Sequence, residues 1–222
     1  MAAEETKKRL VDVAYRIMKE SGFENLKARE IAKEAGCTAT VIYKYFEDLN
    51  YLITLASFKF LENYIRESGE ISVSSDDSIT QNKKAWRLFI QYAFQNPRIY
   101  ENLFWGRGKA IYEDAVMEYF QLYSGEFSKE LTAYYYLTMY NPDIGERDLI
   151  WLRQGVNQGR LKMEDALYIS RVNQMIVRAM LLEHMEDYKD PDVAEQAVQE
   201  CIYLVEKTID TFLKDSGKPT KK

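Results

Sequence analysis

Histidine and cysteine are almost missing from this 222-residue chain: it holds one histidine, His184, and two cysteines, Cys37 and Cys201. A single histidine leaves no zinc cluster and no histidine pair for acid–base chemistry. Beside Glu183 and Glu186, His184 reads as a partly exposed polar residue, so no metal and no cofactor are expected. Two cysteines build no disulfide framework, which fits a reducing cytoplasm. Cys201 falls on an apolar stripe, and nothing near Cys37 marks it as a reactive thiol. Glycine (10) and proline (4) are scarce, against a turn-rich β sandwich or barrel. Nor is there a run near the ~20 apolar residues that a membrane span needs. Met1-Ala2-Ala3-Glu4-Glu5 opens straight into a charged helical pattern rather than a signal peptide. A cytoplasmic protein without a membrane partner is expected.

What is present is helix. Apolar residues make up 46% of the chain and charged ones 29%, enough for a sizeable core and a hydrated surface. The formal charge is −5, unevenly spread. Residues 1–50 carry nine Lys/Arg and nine Asp/Glu, leaving 21 basic and 26 acidic in the other 172. A neutral head on an acidic body binds phosphate only if its basic groups share a face.

Leu10, Val13, Ala14, Ile17 and Met18 recur at three- and four-residue steps until Gly22 closes a first helix. Ala28, Ile31, Ala32 and Ala35 give a short second helix ended by Gly36. Thr38 is placed to cap a third over 39–46, burying Ile42, Tyr45 and Phe46. Asp48 opens a fourth, whose face runs from Leu49 to Tyr64. Residues 71–80 read as a polar linker. Further helices are expected over 81–95, 146–158, 163–187 and 191–214, the last with Asp190 as cap and Pro191 in its first turn. No segment alternates convincingly enough for a strand.

Two short helices joined by a glycine-containing turn have the form of a helix-turn-helix, whose second helix is sized for a major groove. Its leading end, Thr38-Ala39-Thr40-Val41, is small, with hydroxyl and methyl groups suited to base edges. Tyr43, Lys44 and the preceding Arg29 suit phosphate oxygens. Spacing alone leaves open an ordinary helical hairpin with a polar surface.

The stretch Gly22-Phe23-Glu24-Asn25, Arg29-Glu30-Ile31-Ala32-Lys33-Glu34-Ala35-Gly36, Thr38 and Ile42-Tyr43-Lys44-Tyr45-Phe46 resembles the N-terminal domain of the tetracycline-repressor (TetR/AcrR) family of bacterial regulators. The likeness covers roughly residues 5–60. It implies double-stranded DNA as partner, base-reading positions at Ala39, Thr40 and Val41, groove and phosphate contacts from Arg29, Tyr43, Lys44 and Tyr45, and Thr38 as helix cap. Two positions depart from the family pattern. Lys27 stands where Ser or Thr usually caps the second helix, so that cap is lost or supplied by Asn25. Leu49 stands where a lysine commonly grips phosphate, and losing one such contact lowers the salt slope by about 0.9. Lys27 is a candidate to compensate.

The fold class expected is therefore all-α: a three-helix, N-terminal helix-turn-helix DNA-binding domain (1–48) joined to a helical effector-binding and dimerisation domain (49–215). Residues 49–68 form the connecting helix and 216–222 a disordered tail. The last two helices keep near-heptad apolar spacing. Ile169, Val172, Ile176 and Met180 on one, with Val198, Cys201, Leu204, Val205 and Ile209 on the other, are the candidate homodimer interface. A two-fold dimer would set two recognition helices about 34–36 Å apart, matching a palindromic operator. The middle of the chain is crowded with aromatics. Phe89, Tyr92, Phe104, Trp105, Tyr112, Phe120, Tyr123, Tyr136, Tyr140 and Trp151 are candidates to line a cavity for a hydrophobic or aromatic small-molecule effector. Most aromatics at helical spacing are simply core, so the assignment rests on their number. The expected function is a ligand-responsive transcriptional regulator, a repressor, and not an enzyme. The alternatives are an enzyme acting on a hydrophobic substrate in that cavity, for which no phosphate loop, nucleophile elbow or zinc spacing is present, and a helical adaptor that binds only proteins.

Overall fold

The structure is a computed structural model, and it describes residues 2–135, 140–186 and 188–213. Among them there is helix, turn and coil but no strand. Helix α1 (Ala2–Ser21) buries Leu10, Val13, Ala14, Ile17 and Met18 along the expected stripe, together with Val11. Gly22 ends it at φ +90°, its N–H on the Met18 carbonyl at 3.0 Å. A 3-10 turn, Phe23–Asn25, leads into α2 (Ala28–Glu34) and α3 (Ala39–Tyr45).

The fourth helix expected over 49–64 is interrupted. Helix α4 (Leu49–Ser57) starts where Asp48 accepts the Tyr51 N–H at 2.7 Å, tightens to 3-10 over Phe58–Leu61, and is followed by α5 (Glu62–Ser72). Phe58 and Leu61 are both fully buried, and a 3-10 turn eclipses residues three apart, which puts both on one face. The expected linker over 71–80 shrinks from both ends. Helix α5 reaches Ser72, and α6 (Ser78–Gln95) begins on Asp77, whose carboxylate accepts from the Ile79 N–H (3.1 Å), the Thr80 N–H (3.3 Å) and the Thr80 hydroxyl (2.7 Å). A run rich in Ser and Asp signals a loop and an N-cap equally well, and the burial of Ile79 decides for helix.

Helix α7 (Pro97–Phe104) and a 3-10 turn at Arg107–Ile111 precede α8 (Tyr112–Leu122) and the short α9 (Lys129–Tyr134). Asp143 caps α10 (Ile144–Asn157) through the Gly145 and Glu146 N–H groups. Helix α11 (Met163–Glu183) is followed by α12 (Pro191–Phe212), which Asp190 caps as expected. The far ends of the last two expected helices, Asp187 and Lys214, and the tail at 216–222 lie outside the described residues.

By contacts the chain forms two compact units. The first comprises Met1–Arg66 with Arg98–Pro142, the second Glu67–Pro97 with Asp143–Lys222. The boundary drawn from sequence after residue 48 therefore falls inside the first unit, which holds the helix-turn-helix segment and α7 to α9 alike. In that unit α1 packs on α4 and α8. In the second, α10 and α12 each pack on both α6 and α11. Its core joins Ala166, Ile169, Val177 and Leu181 of α11 to Ala197, Cys201, Val205 and Ile209 of α12. Gly155 lets α10 approach α6 closely, since an added Cβ would stand 2.8 Å from Ile79 Cδ1.

Candidate functional site

Helices α2 and α3 are held by what they bury. Ile31 and Ala32 of α2, Ala35 of the turn, Ile42 of α3 and Phe46 just after it are all inside. The turn is closed by backbone bonds: the Ala35 N–H to the Ile31 carbonyl at 2.8 Å and the Cys37 N–H to the Ala32 carbonyl at 2.9 Å. Gly36 between them sits at φ +68°, in the left-handed region that favours glycine, and a Cβ there would touch nothing. The glycine is required by backbone conformation, not by space.

With Ile42 and Phe46 facing inward, the other side of α3 faces out. Thr38, Thr40, Tyr43 and Lys44 are exposed, while Ala39, Val41 and Tyr45 are half-buried. The expectation that Tyr45 is buried with Ile42 and Phe46 is thus corrected to partial burial. Arg29 on α2, and Lys27 just before it, are exposed as well. Thr38 occupies the N-cap position with extended backbone, but its side chain makes no capping bond; the Val41 N–H bonds the Thr38 carbonyl at 2.9 Å instead. The expected side-chain cap is therefore absent, and the exposed hydroxyl is not used to end the helix. Lys27 at the start of α2 likewise offers no side-chain cap, and the Asn25 amide donates to the Ser21 carbonyl rather than replacing one.

Sequence reasoning missed how this segment is tied to α8. Tyr123 donates its hydroxyl to Asp12 of α1 at 2.7 Å. Lys59 sits 3.2 Å from the same carboxylate and 4.2 Å above the Tyr123 ring. Lys7 pairs with Glu118, which also accepts the Tyr51 hydroxyl at 2.9 Å. Lys8 reaches Glu126 at 2.6 Å. Burial, and then the Asp12 carboxylate, push the Tyr123 phenol far above its ordinary range, and burial with Glu62 does the same to Tyr119. No periodicity announces such pairs, because the partners lie 47 to 118 residues apart.

The aromatic candidates divide between the units. Phe104, Trp105, Tyr112, Phe120, Tyr123 and Tyr140 belong to the first, Phe89, Tyr92 and Trp151 to the second, and Tyr136 lies outside the described residues. In the first unit the rings pack on one another. Phe58 meets Tyr112 edge-on at 5.0 Å, Phe104 meets Tyr112 at 5.9 Å, Tyr119 meets Tyr123 at 4.7 Å and Phe120 meets Tyr135 at 3.9 Å. Phe104, Tyr112, Phe120 and Tyr123 are nearly or fully buried, so each is a core residue first. Tyr92 lines an open groove of about 470 Å³ with Phe94, Tyr188, Pro191 and Val198, and gives its hydroxyl to Glu67 at 2.6 Å.

Four of the expected dimer contacts need correction. Ile169, Cys201, Val205 and Ile209 have no exposed surface within the single chain. They form the unit's own core, and side chains without surface have none to give a partner. Burial also pushes the Cys201 thiol up to about 12, as expected of an inert packed residue. Met180 and Val198 are nearly buried, Val172 and Ile176 half-buried, and Leu204 exposed. The exposed apolar residues lie on a different stripe: Tyr168, Met175 and Leu182 at seven-residue steps on α11, with Leu167, and Tyr203 beside Leu204 on α12. The sequence carried that second heptad stripe too, but the richer one drew the assignment.

A short helix with an exposed small-residue leading edge, set by its buried face against a partner helix across a glycine turn, defines a helix-turn-helix DNA-binding protein with an all-helical body. Residues 10–48 match the family described as bacterial regulatory proteins, tetR family, so the chain carries the DNA-binding segment of TetR-family transcriptional regulators. Among curated relatives, an HTH-type transcriptional regulator of Staphylococcus aureus strain USA300 is 22% identical over 134 residues, which is 60% of this chain and 67% of the relative. Among solved structures, RolR in complex with resorcinol aligns with a TM-score of 0.56 at 17% identity, covering 100% of this chain and 97% of that one. Thermus thermophilus FadR, a TetR-family transcriptional repressor in complex with lauroyl-CoA, aligns with a TM-score of 0.56 at 13% identity, covering 97% and 100%. At such identities the structural likeness speaks for the fold. No helix among the described residues is long and apolar enough to cross a membrane.

Proposed function

We propose that this regulator is a homodimeric repressor that binds a palindromic operator, and that a hydrophobic or aromatic small molecule controls its DNA affinity. The observation that carries the reading is the outward face of α3. Thr38 and Thr40 are exposed at its start, Tyr43 and Lys44 one turn on, and Arg29 and Lys27 nearby. Base edges are read by Ala39, Thr40 and Val41, while Arg29, Thr38, Tyr43, Lys44 and Tyr45 hold phosphate and groove, with Lys27 as a further cation. The dimer forms through the exposed stripe of Tyr168, Met175 and Leu182 with Tyr203 and Leu204, which a two-fold copy would cover in a four-helix bundle. Effector control is supported by the neighbours: one solved relative holds resorcinol and another lauroyl-CoA. A differential affinity of about 1–3 kcal/mol between two conformations gives a 5- to 150-fold change in operator binding.

The test is a fluorescence-anisotropy titration against the upstream intergenic DNA of the protein's own gene at two salt concentrations. Wild type should bind, with a salt slope that falls by about 0.9 for each phosphate contact removed. Tyr43→Ala with Lys44→Ala should weaken binding by at least about tenfold on the scale of lost phosphate contacts. Wild type that ignores both this DNA and random duplex at low salt would sink the proposal.

A further inference from the structure

Within the second unit, α6, α10 and α11 each bury a polar side chain to which none of the roles above is given. Asp148 of α10 is 5% exposed, Asn82 of α6 is 1% and Asn173 of α11 is 0%. Asp148 Oδ1 accepts from Asn82 Nδ2 at 2.5 Å and from the Trp86 indole N–H at 2.7 Å. No hydrogen bond of normal geometry reaches its Oδ2, Asn82 Oδ1 or Asn173 Oδ1 among the described residues, and Asn173 Nδ2 meets no acceptor; the Ser170 hydroxyl is near enough to act on the carboxylate's charge. Ser170, one turn before Asn173, donates its hydroxyl to the Gly145 carbonyl at 3.1 Å. Burial raises the Asp148 carboxyl to about 6, against hydrogen bonding from Asn82, Trp86 and Ser170 that lowers it. At neutral pH this carboxylate is therefore largely ionised.

A buried carboxylate with only neutral hydrogen-bond partners is costly unless a cation balances it. The cluster also has three oxygens wanting donors against one N–H wanting an acceptor. Water offers two donors and no charge; a protonated amine offers several N–H groups and the missing positive charge. The described residues place no three His, Cys, Asp or Glu side chains together for a metal ion, and an apolar, aromatic lining suits an organic cation. The surroundings are aromatic. Trp86 meets Phe89 edge-on at 6.0 Å, and half-buried Trp151 lies one turn from Asp148 on α10. Phe89 and Trp151 were already candidates for the effector.

We propose that this cluster is the polar pole of the effector site and takes the protonated amine of an aromatic amine. The ammonium sits against Asp148 Oδ2 and the two asparagine oxygens, and the ring lies among Trp86, Phe89 and Trp151. The inference rests on the ligand-responsive reading and narrows its effector from hydrophobic or aromatic to cationic aromatic.

Calorimetry and thermal melting of the full-length protein with 2-phenylethylamine, charged at pH 7.5, and with neutral 2-phenylethanol test it. The amine should bind at least about tenfold tighter than the alcohol, as one charge-assisted contact is worth a factor of that order. Asp148→Asn should lose that preference while its circular dichroism stays as in wild type. Equal binding of amine and alcohol, amine binding that survives Asp148→Asn, or no binding of either would overturn the assignment. Anisotropy with operator DNA separates the two levels. Release by a neutral hydrophobic compound but not by the amine sinks the amine class and leaves ligand control standing, whereas failure to bind operator at all sinks ligand control itself.

Discussion

The two units treat their buried or half-buried carboxylates differently. In the first, the phenols at the edge of the aromatic core each give a hydrogen bond to a carboxylate: Tyr123 to Asp12, Tyr119 to Glu62 and Tyr51 to Glu118. Lysines complete the sets, Lys59 at Asp12 and Lys7 at Glu118. In the second, the most deeply placed carboxylate, Asp148, has only an amide, an indole and a nearby hydroxyl. In the first unit Asp12 and Glu118 each meet a lysine, whereas Asp148 in the second meets only neutral donors. A set of paired groups serves stability, whereas an uncompensated one costs stability and points to something the unit must receive.

The largest effect expected from breaking this contrast is in the aromatic core. Phe58→Ala, removing a fully buried ring seated against Tyr112 and Tyr119, should cost about 3–5 kcal/mol, read by urea denaturation. Hydrogen exchange in the same variant should show α1, α4 and α8 losing protection while α11 and α12 keep theirs, if each unit opens cooperatively on its own. Uniform loss would dissolve the division.

Asp148→Asn should act with the opposite sign. The folded carboxyl titrates near 6, above its ordinary value of 3.8. Between these values the native state holds a proton that the unfolded state has released, so stability falls as pH rises from about 4 through 6. The substitution should therefore stabilise the ligand-free protein by up to about 3 kcal/mol at pH 8, at about 1.4 kcal/mol per pH unit, and by nothing near pH 4. Thermal melts at both pH values check this; a destabilised variant at pH 8 would mean that Asp148 is already compensated.

Smaller again is Tyr123→Phe, which should cost about 1–2 kcal/mol by removing the bond to Asp12. A double-mutant cycle with Lys59→Met should show coupling, because Lys59 touches both Asp12 and the Tyr123 ring. The smallest pair contrasts two cap positions. Asp48→Ala should cost about 1 kcal/mol, since its carboxylate caps α4. Thr38→Ala, where no capping bond exists, should leave the melting temperature almost unchanged, within about 0.5 kcal/mol.

Much of the fold was legible because helices announce themselves locally. The stripes of α1 and α2, the stops at Gly22 and Gly36, and the caps Asp48 and Asp190 all depend on residues within one or two turns. The exposed face of α3 was legible for the same reason: once Ile42 and Phe46 turn inward, the helical period sends Tyr43 and Lys44 out. Where competing local signals balanced, tertiary burial decided, as at Ile79 in the Ser- and Asp-rich stretch and at Phe58 in the 3-10 segment.

Side chains that meet across long separations were not legible. Periodicity shows that Ile169 and Cys201 are apolar and on a stripe, but not whether the stripe faces the chain's own core or a second copy. It marks Asp148 as one acid among thirty-five, and Asn173 as a polar interruption of an apolar face. The sequence by itself determined the helices, their ends and the outward face of α3, because each follows from hydrogen bonds and apolar spacing within a few residues. Only the tertiary structure decided which stripe is core, which phenol meets which carboxylate, and that Asp148 is left without a countercharge, because burial and pairing belong to the packed ensemble of helices and to no single one of them.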